Sequence, residues 1–135
     1  MADKFRKVDY YSVEVPDKPG EGARVLAALQ EQGVSLLSMT AFPAGSGKSQ
    51  IALIGSSGDV EAAGKKAGLK LSGKKQAFFV SGADRPGAVA NVLRKLADAK
   101  VNVTATNAAA GETGFGMVIW VKPTDVDKAA KALGI

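Results

Sequence analysis

Apolar and polar positions follow two alternating rhythms along this chain. The runs "YYSVEV" from Tyr10 and "QAFFVSG" from Gln76 are short, β-branched and aromatic, and predict strands. Behind each comes a turn, "DKPG" at Asp17 and "DRPG" at Asp84. Apolar residues then recur at helical spacing, as Val25, Leu26 and Leu29 and again as Val89, Val92, Leu93 and Leu96. "VSLLSMTAF" and "VNVTATNAA" predict second strands. In the latter, Val101, Val103 and Ala105 alternate with Asn102, Thr104 and Thr106, the period of a sheet with one wet face. Glycine-rich loops lead into third strands, "QIALIG" and "GMVIWVK". Short helices follow Asp59 and Asp125, acids suited to an N-cap.

The two halves are one phrase said twice. Asp17, Pro19 and Gly20 reappear 67 positions on as Asp84, Pro86 and Gly87, and Ala23, Val25, Leu26 and Leu29 as Ala90, Val92, Leu93 and Leu96. Val34 and Gly47 match Val101 and Gly114, after which one deletion shifts the register so that Asp59 lies over Asp125. Each unit reads β-α-β-β-α, and "LKLS" at Leu69–Ser72 supplies the first with a closing strand. The fold class is therefore α+β: a ferredoxin-like βαββαβ module repeated twice, with antiparallel sheets and helices on one face. The expected modules are residues 1–73 and 74–135. The second lacks its last strand, so another part of the chain or a second copy must cover a bare edge. Gly33 suits the left-handed end of the first helix. Lys100 holds the matching place in the second unit, so that end is expected to close differently.

The DxPG turn carries the candidate chemistry. Proline presets φ for a helix start, and glycine takes positive φ and leaves the backbone open to approach. The first free N–H groups of the helix then point outward with the positive end of the helix dipole behind them, a cradle for a small anion such as a carboxylate. The second strand is expected to start across that cradle. Asn102, which both donates and accepts hydrogen bonds, stands there in the second unit, and Ser35 in the first. The cradles differ in charge. Ala88 and Val89 follow Gly87, whereas Glu21 follows Gly20 and sets its own carboxylate at the positive helix end. The second unit is thus the better anion site; in the first, either Glu21 holds a ligand's ammonium group or the site is vestigial.

Composition narrows the function. The 135 residues hold no cysteine and no histidine, which excludes disulfides, thiol nucleophiles, zinc fingers and a His general base. No acidic cluster suggests a metal, no cofactor is expected, and an enzyme is not the expected reading. The chain is 46% hydrophobic and 23% charged with no apolar run of membrane-spanning length and no signal-like core, which places it in the cytoplasm with no membrane partner. The net charge of +5 gathers in "KKAGLKLSGKK". That stretch has neither arginine nor interleaved aromatics, so it reads as a solvated linker more than a nucleic-acid footprint. A nucleic-acid-binding ferredoxin-like sheet is the alternative. It would need stacking aromatics, for which Phe78, Phe79 and Trp120 are the few candidates, and their apolar surroundings suggest core.

The strand order, the strand running into DxPG, and the "VNVTATN" second strand resemble the ACT domain, the small regulatory module of amino-acid metabolism. The resemblance covers both units, from about Val8 to Ile135. It implies a tandem regulatory protein that binds an amino acid or similar effector and acts on a partner, an enzyme or regulator of amino-acid metabolism, without catalysis of its own. It implies ligand contacts at Asp84, Arg85, Pro86, Gly87, Ala88, Val89, Asn102 and Val103. In the first unit it implies Asp17, Pro19, Gly20, Glu21, Gly22, Ser35 and Leu36. Family members pair modules side by side, which implies a homodimer.

Overall fold

A computed structural model describes residues 2–135. In chain order the strands and helices are β1 (Lys4–Pro16), α1 (Glu21–Glu31), β2 (Ser35–Gly45), β3 (Lys48–Ser57), α2 (Val60–Lys66), β4 (Lys75–Gly82), α3 (Ala88–Asp98), β5 (Val103–Gly111), β6 (Gly114–Val121) and α4 (Val126–Leu133). The chain is α+β, with antiparallel ladders and its helices packed on sheets. It divides into two compact units, Asp9–Lys75 on one hand and Met1–Val8 with Gln76–Ile135 on the other. The division thus differs from a cut between residues 73 and 74, because β1 is twice the length the pattern suggested and serves both units.

In the unit of Asp9–Lys75 the strand order is β2-β3-β1. β1 runs antiparallel to β3, with Tyr11 opposite Leu53 and Val13 opposite Ile51. Tyr11, Val13 and Val15 share one parity, and all three are buried, as a strand with one covered face requires. Val13 and Val15 pack with Val25 and Leu29 of α1 and Ala63 of α2. The closing strand expected at Leu69–Ser72 is reduced to a single bridge, Val13 to Leu71, flanked by hydrogen bonds that Ser12 and Ser72 exchange. The glycine at 64 allows this close approach, since a methyl there would run into Leu71.

In the other unit the order is β1-β4-β6-β5, with only the first half of β1 taking part. Residues Lys4–Val8 therefore stand where the second copy of the repeat lacks its final strand. Phe5 packs against the core there, and Arg6 lies 5.5 Å from the Phe79 ring centroid. Ordering one strand against β4 removes an edge of unpaired N–H and C=O groups, which is the physical reason for the long β1. The core joins Phe78 and Val80 of β4 to Met117 and Ile119 of β6, under Val92 and Leu96 of α3 and Ala129 and Leu133 of α4.

Two local expectations change. Lys100 ends α3 as Gly33 ends α1. Both take positive φ, +60° and +72°, and the same bonds follow, Val101 N–H to Leu96 O and Val34 N–H to Leu29 O. The chain must turn sharply into the next strand at both places, and that demand overrides the residue's preference. Asp59 caps α2 through Ala62 N–H at 3.0 Å, but Asp125 gives α4 no side-chain cap, because a 3₁₀ turn over Pro123–Asp125 carries the chain into that helix.

Candidate functional site

Both DxPG turns form as their residues dictate. Gly20 and Gly87 are the N-cap residues of α1 and α3, at φ +90° and +84°, and neither helix start is capped by a side chain. A methyl on Gly87 would meet nothing within 4 Å, so glycine is needed there for its backbone conformation and not for space. Ala88 N–H reaches Arg85 O at 3.2 Å and Asn91 N–H reaches Gly87 O at 2.8 Å, which closes the turn onto the helix.

At the second turn the chain forms a cleft of about 280 Å³. Asp84, Arg85, Gly87, Ala88 and Val89 line one side, and Ala108, Ala109 and Ala110 of β5 the other, with Phe115 beneath. The walls are apolar and the only charged lining groups are Asp84 and Arg85. Small side chains on β5 leave the opening; Ala110, opposite Phe115, shares the face of the cleft, and a larger residue there would fill it.

Asn102 and Val103 do not line this cleft. α3 has 11 residues and carries the chain roughly 16 Å away from the turn at 1.5 Å per residue. Asn102 follows Val101, whose N–H bonds Leu96 O at the far end of that helix. A returning strand needs about five residues, at about 3.3 Å each, to come level with the turn again. That arithmetic leads from Val103 to Ala108, and it could have been done from helix length alone. The alternation expected along β5 also fails beyond Val103, because the ladder to β6 slips between Val103 and Ala105 and puts Thr106, not Ala105, opposite the core residue Ile119; the rest of the strand is exposed.

The first turn has the same backbone and other surroundings. Asp17 is spent on the β2–β3 hairpin: its carboxylate accepts from Ser49 Oγ at 3.0 Å and its N–H reaches Gly47 O at 2.9 Å. Glu21 turns to Arg24 one turn on, at 3.0 Å, with only 15% of its side chain exposed. Its charge is matched within the helix. Pro19 and Gly20 shape the turn, Gly22 lies in the first turn of α1, and Ser35 and Leu36 start β2 at the far end, opposite Ser57 and Gly55.

Arg85 has a partner that sequence reading missed. Its Nη1 and Nη2 each donate to an oxygen of Asp3 at 3.0 Å, and Nη1 also donates to Ala83 O at 2.8 Å. The hydrogen bond from Arg85 holds the Asp3 carboxyl below the usual carboxylate range, against the opposing effect of burial. Nothing in the sequence links positions 3 and 85, since only the pairing of β1 with β4 brings them together.

The lysine-rich stretch is tied down in part. Lys65 pairs with Glu61 at 3.6 Å in the last turn of α2, and Lys75 lies 5.9 Å from the Tyr10 ring centroid. Of the aromatics a nucleic-acid surface would use, Phe78 is fully buried and Arg6 covers Phe79. Among the described residues no group of acidic side chains converges to hold a metal ion, and no helix is long and apolar enough to cross a membrane.

This arrangement defines an α+β chain of antiparallel strands with helices packed on them. A protein from Bacteroides thetaiotaomicron, BT0572, superposes with a TM-score of 0.80 at 21% identity, covering 96% of this chain and 88% of that one. The regulatory subunit of aspartate kinase from Thermus thermophilus, in ligand-free form, superposes at 0.68 with 17% identity, covering 98% and 95%. That of Thermus flavus gives 0.62 with 18% identity over 98% and 93%. These likenesses show the fold. No protein-family model and no curated protein matches the sequence.

Proposed function

We propose that this chain is a small-molecule-binding regulatory protein of the ACT type, which senses an amino acid and acts on a partner enzyme or regulator of amino-acid metabolism. One observation carries the reading. At the DRPG turn a helix start without a side-chain cap, a guanidinium and a carboxylate meet at the mouth of an apolar cleft. A zwitterion is the ligand this combination suits. Its carboxylate takes the positive end of α3 and Arg85, its ammonium takes Asp84, and its side chain lies along Ala88, Val89 and the alanines of β5. Those walls favour an apolar side chain. The first turn, with Asp17 and Glu21 already engaged, is the weaker site. Support also comes from the architecture shared with subunits named as regulators of aspartate kinase.

Calorimetric titration of the twenty amino acids into the full chain tests this. A binder is expected among those with apolar side chains, with binding lost in Ala110→Leu, which fills the cleft beside Phe115, and retained in Ser35→Ala, which lies elsewhere. Silence across the panel would remove the reading. β5 borders only β6 and its outer edge suits a second copy, so the binder is expected to shift a monomer–dimer equilibrium measured by sedimentation. A coupling of about 1–3 kcal/mol between ligand and assembly is enough for control.

A further inference from the structure

Arg85 is already holding a carboxylate. The two terminal nitrogens of its guanidinium grip both oxygens of Asp3 in a bidentate pair, and the third engaged N–H goes to Ala83 O. This is the geometry with which an arginine recognises a carboxylate ligand. The Asp3 side chain is only 9% exposed, while 41% of the Arg85 side chain remains open. Its seat is a notch made by Gly82, where a methyl would run into the Asp3 carboxylate. Arg85 belongs both to this pair and to the lining of the cleft.

We propose that Asp3 is an internal competitor for the carboxylate position at this turn, so that a ligand binds by taking Arg85 from it and loosening the start of β1. The inference rests on the amino-acid-sensing reading and adds its regulation. Charge favours competition over side-by-side binding. The charge of Arg85 is matched by Asp3, so an incoming carboxylate meets a neutral pair beside the negative Asp84. The end-on edge of the guanidinium is occupied and Nη1 is fully engaged, so a carboxylate that takes the end-on position must displace Asp3. Displacement also gives the site an output. Residues Ala2–Phe5 lead the strand that covers β4, and releasing Asp3 transmits ligand binding to that strand.

The test titrates the twenty amino acids into the wild-type chain and into Asp3→Asn, which keeps size and drops charge. Amide hydrogen exchange of the peptide spanning residues 2–8 is followed in the wild type with and without the tightest binder. The competitor model expects binding about tenfold tighter in Asp3→Asn, and faster exchange at residues 2–5 when the wild type is saturated. Binding detected in Asp3→Asn alone also supports it. Equal or weaker binding in Asp3→Asn, with exchange unchanged on saturation, makes Asp3 a plain structural tie and overturns the inference while sensing stands. If neither protein binds any amino acid, the sensing reading fails and the competitor falls with it. The exchange experiment uses no variant, so a poorly folded Asp3→Asn does not remove the test.

Discussion

Lys100→Gly should stabilise the protein, although it deletes a side chain from a well-formed helix end. Lys100 sits at φ +60°, where a residue with a Cβ pays about 1–2 kcal/mol. Glycine removes that strain but gives the unfolded chain more freedom, which returns about 0.4–1 kcal/mol. The net gain is about 0.5–1 kcal/mol. The bonds at this turn involve backbone groups, Lys100 N–H to Ala97 O and Val101 N–H to Leu96 O, so they survive the change. Lys128 Nζ likewise donates to the carbonyl of Lys100, at 3.5 Å, and not to its side chain. The repeat supplies a control. Gly33 holds the matching place at φ +72° with nothing within 4 Å of an added methyl, so Gly33→Lys should cost about as much as Lys100→Gly gains. Urea and thermal denaturation followed by circular dichroism give the readout, with Tm shifts of about 2–5 °C in opposite directions. A Lys100→Gly protein no more stable than wild type would show that the backbone there is not strained and that the side chain does something the geometry hides.

Three more outcomes follow from the packing. The folded-state pKa of Asp3 is lowered, so its contribution to stability is present above the unfolded carboxylate value and lost as pH falls through the folded one; Asp3→Asn should therefore flatten the fall in urea midpoint between pH 7 and pH 3. Tyr11 is pushed up to about 12 from 10.0, by burial first and then by its bond to Glu61. Its neutral form is favoured by folding, so stability is intact below pH 10 and declines as pH rises towards 12; an ultraviolet titration should show this late ionisation, absent in Tyr11→Phe. Gly64→Ala, a change that ordinarily steadies a helix by about 1 kcal/mol, should destabilise here because the methyl runs into Leu71, and thermal melts with a Leu71→Ala partner should show the two changes compensating.

Much of the architecture was legible because each element carries a local reason. Val25 and Leu29 face inward because helical spacing puts them on one side, and Val13 and Val15 because a strand alternates. The turns at Asp17 and Asp84 announced themselves through proline and glycine. The candidate cleft was half legible. Asp84 to Val89 lie together because they are consecutive, and all of them but Pro86 line the cleft that the structure forms. The partner strand was misplaced: a helix that leaves the turn carries the chain away from it, so Ala108 to Ala110, and not Asn102, come back beside it.

What sequence alone determined here is whatever neighbours along the chain impose on one another: strand, turn, helix, and the doubling of that phrase. Folding in three dimensions decided what distant residues impose. β1 runs on past its own unit to close the other. Asp3 reaches the guanidinium of Arg85 across 82 positions, and Lys100 accepts a glycine's conformation because the strand beyond it must begin there. Short-range sterics act through a few covalent bonds and so are written in local order. Pairing across a sheet depends on which edge is left open, and that is known only when all the strands are in place.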